Sequence, residues 1–192
     1  MITTTLNRIR EHHPCQTSWE ELLSALGKTK ADDEPLAYSK IVEVLGIHDA
    51  IWCCRAEPRY SKEWRLFAVW CARQVQHLMT DKRSIDSLDA AERYANGEAT
   101  DKELKEAYDA AWAAAWESPF DAAWAAAWAA AWDDVSAASI AARASARAAR
   151  ASARADSMAS GAWTSALSDA RVSAWAAAWD AQTKKFLEIV GG

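Results

Sequence analysis

From Tyr108 to Trp132 the chain places an aromatic at every fourth position, Tyr108, Trp112, Trp116, Phe120, Trp124, Trp128 and Trp132, with mostly alanine between them. A spacing of four sets neighbours about one turn apart on one side of a helix, drifting by roughly 40° per step because a turn holds about 3.6 residues. Leucine fills a core as well, so this many indoles point to a specialised packing or binding surface. The spacing returns near the end of the chain in Trp163, Leu167, Arg171, Trp175 and Trp179, where one arginine interrupts an apolar seam. In the first half the strongest amphipathic stretch is Trp64 to Met79, with Leu66, Phe67, Trp70, Cys71, Val75 and Leu78 mainly on one side. No run alternates with the period of two that marks a half-buried strand. The pattern predicts an all-α, multi-helix bundle with long Ala/Trp-rich helices in its C-terminal half and essentially no sheet.

Start and stop signals divide this pattern into elements. Ser18 and Glu21 make a capping box ahead of a predicted helix from Trp19 to Leu26, which Gly27 closes. Pro35 suits the first turn of a helix running to about Leu45 and ended by Gly46. A short helix from Asp49 to Ala56 stops at Pro58, and Ser61 opens the amphipathic one. Asp81 starts a helix that ends at Asn96 and Gly97, and Thr100 with Glu103 forms a second capping box for a helix reaching Glu117. Ser118 followed by Pro119 is an N-cap and first-turn pair, which predicts a break there and a new helix after it. Its Ala-rich run reaches about Ser160, Gly161 breaks it, and a last helix covers Ala162 to about Ile189.

Composition shifts near residue 107. We expect one all-helical domain over 1–192, in which 1–106 is of mixed composition and 107–192 forms the long helices rich in Ala, Trp and Arg. Low complexity can mean disorder, but alanine is the best helix former and tryptophan does not promote disorder. The Trp-Ala-Ala-Ala-Trp echo beginning at Trp112, Trp124 and Trp175 is a degenerate repeat without the fixed longer period of a solenoid. The formal charge of -5 and pI near 5.4 argue against a general duplex nucleic-acid binder. Cys15, Cys53, Cys54 and Cys71 show no CxxC spacing, so reduced cysteines packed in helices are expected. The opening Met-Ile-Thr-Thr-Thr is not a basic-then-apolar leader. Glu117, Ser118, Pro119, Asp121, Asp133 and Asp134 interrupt the Ala/Trp stretch more often than a bilayer crossing allows. These features lead us to expect a soluble cytoplasmic protein with no membrane partner.

The segment Glu63 to Thr100 contains Arg65-Leu66-Phe67-Ala68-Val69-Trp70-Cys71-Ala72-Arg73, then Asp81-Lys82-Arg83-Ser84 and Ala91-Glu92-Arg93-Tyr94-Ala95-Asn96-Gly97-Glu98-Ala99. It resembles a family of immunity proteins, all-helical proteins associated with bacterial toxin systems, with similar alanine-rich members in phages. The resemblance covers the middle of the chain and, loosely, its Ala-rich continuation. What it implies is an all-α, non-catalytic, neutralising role in bacterial or phage conflict; it assigns no functional residues.

Candidate chemistry lies in the second half. On a continuous helix after Pro119, Arg143, Arg147, Arg150 and Arg154 continue the side on which Trp128 and Trp132 end, while Ala137, Ala141, Ala144, Ala148, Ala151 and Ala155 take the opposite side. No acidic residue lies between Asp134 and Asp156, so these guanidinium groups lack partners on their own helix. One reading is a solvated basic face over an alanine core. The other is an anionic ligand held by arginine forks beside indole platforms, since guanidinium matches phosphate and bases stack on aromatics. Arg171, inside the seam of Trp175 and Trp179, must pair with Asp133, Asp134 or Asp156, reach solvent, or meet that ligand. The candidate ligand-binding set is therefore Trp128, Trp132, Arg143, Arg147, Arg150, Arg154, Arg171, Trp175 and Trp179.

Other signals are weak. Gly27-Lys28-Thr29 resembles the end of a P-loop, but Leu22 stands where its first glycine belongs and no strand precedes it. His12, His13 and Cys15 lack the second pair that completes a metal site, and His48 and His77 are isolated. With no nucleophile, base and orienting group in sight, we expect no enzyme and no cofactor. Three roles remain: a phage-type sponge that sequesters a nucleotide-derived immune signal, an immunity protein that inhibits a toxin or effector protein, and a self-assembling helical protein that forms a homo-oligomer.

Overall fold

The structure, a computed structural model, describes residues 1–117, 137–160 and 165–192. Among them are nine α-helices: α1 (Leu6–Glu11), α2 (Gln16–Ala25), α3 (Tyr38–Leu45), α4 (Ile47–Cys53), α5 (Ser61–Arg73), α6 (Lys82–Ala95), α7 (Asp101–Glu117), α8 (Ala137–Ala159) and α9 (Ser165–Gly191). The all-α expectation is met. It has one addition, a two-residue antiparallel pair of β1 (Thr3–Thr4) and β2 (Leu36–Ala37), with Thr3 opposite Ala37 and Thr4 opposite Leu36. Two residues are too few for an alternating pattern to be visible in a sequence.

Several boundaries follow the capping signals. Asp81 caps α6 by accepting from the Arg83 N–H. Thr100 and Glu103 exchange backbone-to-side-chain bonds, closing the predicted capping box. Gly46, at φ 81° and ψ 175°, ends α3 and starts α4 at once. Elsewhere tertiary structure moves the ends. Helix α2 begins at Gln16, because the Cys15 sulfur and not Ser18 accepts the capping N–H. Leu36 and Ala37 are drawn into the strand pair, so α3 starts at Tyr38 and not at Pro35. The amphipathic helix stops at Arg73 and continues only as a 3₁₀ turn over Gln76–Leu78. The predicted break at Ser118-Pro119 and the one at Gly161 lie outside the described residues.

The core gathers where α3, α5 and α9 meet. Phe186 is fully buried and touches three rings: Trp64 nearly parallel at 6.0 Å, Phe67 edge-on at 5.4 Å and Tyr38 at 6.1 Å. Tyr38 donates its hydroxyl to the Cys53 carbonyl at 2.8 Å, and its burial pushes the phenol above its ordinary pKa. Helix α8 packs against α4, α5 and α9 through small residues: Ala138, Ala141, Ala142, Ala144, Ala146 and Ala148 are all buried. Without side-chain bulk the helix backbones approach closely, and Gln182 of α9 reaches across to donate to the Ala142 carbonyl and the Ser145 hydroxyl, both at 3.0 Å. Cys53, Cys54 and Cys71 are buried free thiols, with pKa values raised by burial, whereas Cys15 is exposed. No helix among the described residues is long and apolar enough to cross a membrane.

Candidate binding face of the arginine and tryptophan helices

Helix α8 shows why its four arginines stay outside. At about 100° per residue, Arg143, Arg147, Arg150 and Arg154 fall within a stripe of about 60°. All four are exposed, while the buried residues Ala138 to Ala148 occupy the rest of the circumference over those turns. The expected alanine side is partly corrected here. Ala141, Ala144 and Ala148 are buried, but Ala151 and Ala155 are exposed.

Helix α9 runs antiparallel to α8, as the contacts from Gln182 to Ala142 and from Trp175 to Arg150 require. That register brings the tryptophan seam beside the arginine stripe. Trp179 is 8% exposed and Trp175 half-buried, with ring centroids 5.8 Å apart in an edge-to-face arrangement. The Arg150 guanidinium lies over the Trp175 ring, 5.8 Å from its centroid, within cation–π range. The same register sets Arg154 level with Arg171. Arg171 is half-buried, and neither it nor any of the four stripe arginines forms an ion pair among the described residues; Asp156, one of its expected partners, is exposed.

His48 completes the cluster. It stands in the first turn of α4, and its ring packs on Trp179 with centroids 3.8 Å apart. Its pKa is lowered from the ordinary histidine value, first by burial and then by the charge of Arg143, with Asp49 opposing. The ring is therefore a neutral imidazole at neutral pH. Beneath it the Trp179 Nε1–H is buried with no hydrogen-bond partner among the described residues, a state that costs about 1–3 kcal/mol for an orphaned donor.

The structure thus joins Arg143, Arg150, Trp175 and Trp179 through His48, with Arg147 on the same stripe and Arg154 and Arg171 at its far end. Trp128, Trp132, Asp133 and Asp134 lie outside the described residues. His48 was set aside in the sequence as isolated, and only the packing of α4 against α8 and α9 brings it here. Gly27-Lys28-Thr29 has a structural use instead: Lys28 bridges Asp32 and Glu34, each at 2.6 Å. Trp112, on the ladder, is 41% exposed. Among the described residues no group of three His, Cys, Asp or Glu side chains is placed to hold a metal ion.

Comparison with known protein families, curated proteins and solved structures finds no match. The face must be read from its own chemistry. It offers fixed positive charge, aromatic surface and an imidazole, which together suit an anion carrying a planar group.

Proposed function

We propose that this chain is a non-enzymatic, neutralising binding protein of bacterial or phage conflict that sequesters a small nucleotide-derived signal on the face between α8 and α9. The observation that carries the reading is the Arg150 guanidinium within cation–π range of Trp175, next to Trp179 and to stripe arginines without an ion-pair partner among the described residues. A guanidinium held within cation–π range of an indole keeps N–H groups for phosphate, and the half-buried Trp175 ring can take a base. The resemblance of Glu63–Thr100 to immunity proteins supports the neutralising role.

The test is calorimetry against cyclic nucleotides and ADP-ribose-type nucleotides. Arg147→Ala should weaken binding and flatten its salt dependence, and Trp175→Ala should remove a stacking contribution of about 1–3 kcal/mol. Neither change should unfold the chain, because Arg147 is exposed and Trp175 only half-buried. If no nucleotide binds, the sponge reading fails.

A second reading, inhibition of a toxin protein, is favoured by one feature. All four stripe arginines are exposed, and arginine and tryptophan are the residues that dominate protein interfaces. An acidic toxin surface captured by the wild type and lost with Arg147→Ala and Arg150→Ala would select it.

A further inference from the structure

A second basic cluster is built from segments that the arginine stripe does not involve. A groove of about 350 Å³ opens between the C-terminal turns of α1 and the two 3₁₀ turns at Cys54–Ala56 and Pro58–Tyr60. Arg8, Arg55 and Arg59 line it, with His12 and Glu11 beside them.

These guanidinium groups are held in place. Glu57, between the two turns, is fully buried, and its Oε2 pairs with Arg8 at 2.6 Å and with Arg59 at 2.8 Å. The Trp64 indole N–H donates to the Glu57 backbone carbonyl at 3.0 Å, anchoring the carboxylate's own backbone to the core. Arg55 donates through Nε to the Trp52 carbonyl at 2.9 Å and lies over the Trp52 ring at 4.3 Å. Each arginine is thus fixed through one part of its fork, while the exposed or half-exposed remainder faces the groove.

Burial of the Glu57 carboxylate is costly unless it is paired, and Arg8 and Arg59 pair with it while their exposed parts remain at the groove. Three guanidinium charges against the Glu57 and Glu11 carboxylates leave the groove one net positive charge. A net positive groove lined by arginine forks suits a phosphate ester, whose oxygens match them. Glu11 on the rim disfavours a bare anion and accepts from a hydroxyl, so it selects a ligand that carries one next to its phosphate. The volume falls in the range of small-molecule sites.

The geometry points to a binding site for a small hydroxylated phosphate ester, of sugar-phosphate type, with the phosphate on Arg8, Arg55 and Arg59 and a hydroxyl on Glu11.

The experiment is calorimetry of the whole chain with ribose 5-phosphate, inorganic phosphate and ribose. Ribose 5-phosphate should bind, ribose should not, and inorganic phosphate should bind more weakly than the ester. Arg55→Gln and Arg59→Gln should each weaken the ester at least tenfold; Glu57 keeps Arg8 in the Arg59 variant, and Arg55 does not touch Glu57, so the Arg55 variant decides if the Arg59 variant fails to fold. Glu11→Gln should narrow the preference for ester over inorganic phosphate. Arg147→Gln should change nothing, which separates this site from the α8 face. No binding of the ester at millimolar concentration, or binding unmoved by both arginine variants, overturns the site. Equal binding of ester and inorganic phosphate overturns the assignment of the ligand.

Discussion

His48 shows how much one side chain's behaviour depends on neighbours far away in sequence. Alone it is a helix-start histidine; packed on Trp179 near Arg143 it has a lowered pKa. Because the folded state binds this proton less readily than the unfolded chain, stability is fully present above the ordinary histidine value of about 6.5 and falls as pH drops below it toward the folded value. Urea denaturation at pH 7.5 and 5.5 should show that loss, and His48→Gln should make the profile flatter over that interval. An unchanged profile in the variant would mean that the ring does not titrate in this environment. Glu57 makes the converse point. Its position in the sequence, between Ala56 and Pro58, looks like an ordinary loop carboxylate, yet it is fully buried because Arg8 and Arg59 both neutralise it.

Helices α3 and α4 turn on Gly46, whose φ of 81° with an extended ψ is open to glycine and strained for any other residue. Among the described residues, none beyond its immediate chain neighbourhood comes within 4 Å of where a Cβ would stand, so the cost of Gly46→Ala is conformational and not steric crowding. We expect about 1–3 kcal/mol of destabilisation, read from the urea midpoint. His48 lies two residues later, so the change should also loosen the ring's contact with Trp179, seen as a shift in indole emission. Helices α8 and α9 illustrate a different balance. Alanine on α8 allows the close approach that lets one glutamine, Gln182, bridge the pair while arginine covers the outer stripe. The helix is thus written for two surfaces at once, a thin inner one and a charged outer one.

Phe186 ties the whole molecule together. It lies in the last helix yet is buried among Tyr38 of α3 and Trp64 and Phe67 of α5, and the adjoining Val190 carbonyl accepts from the Ile2 N–H at 2.7 Å. Truncation to alanine would leave a cavity at the meeting of three helices, so Phe186→Ala should cost about 3–5 kcal/mol. Chemical denaturation should show that loss as a lower midpoint with a cooperative transition retained. A loss under about 1 kcal/mol would mean that α9 packs independently of the N-terminal helices.

Helix class, most caps and the two-sided character of α8 follow from amino-acid order alone, because 3.6-residue periodicity and capping are local physics that neighbouring residues enforce on each other. Asp81, Gly46, Asn96-Gly97 and the Thr100–Glu103 box stand where their residue types require. The arginine stripe was legible for the same reason: four charges repeating at helical spacing must share a side. Which helix lies beside that stripe was not legible. Trp175 meets Arg150, and His48 meets Trp179, only through antiparallel packing of α9 on α8 and the seating of α4 against both, and no local pattern encodes those long-range contacts. The groove of Arg8, Arg55 and Arg59 was invisible for that reason too, since its residues come from separate segments and are united by one buried carboxylate. Periodicity tells a side chain which side of its own helix it occupies; the partner across the gap is chosen by the burial of the whole core.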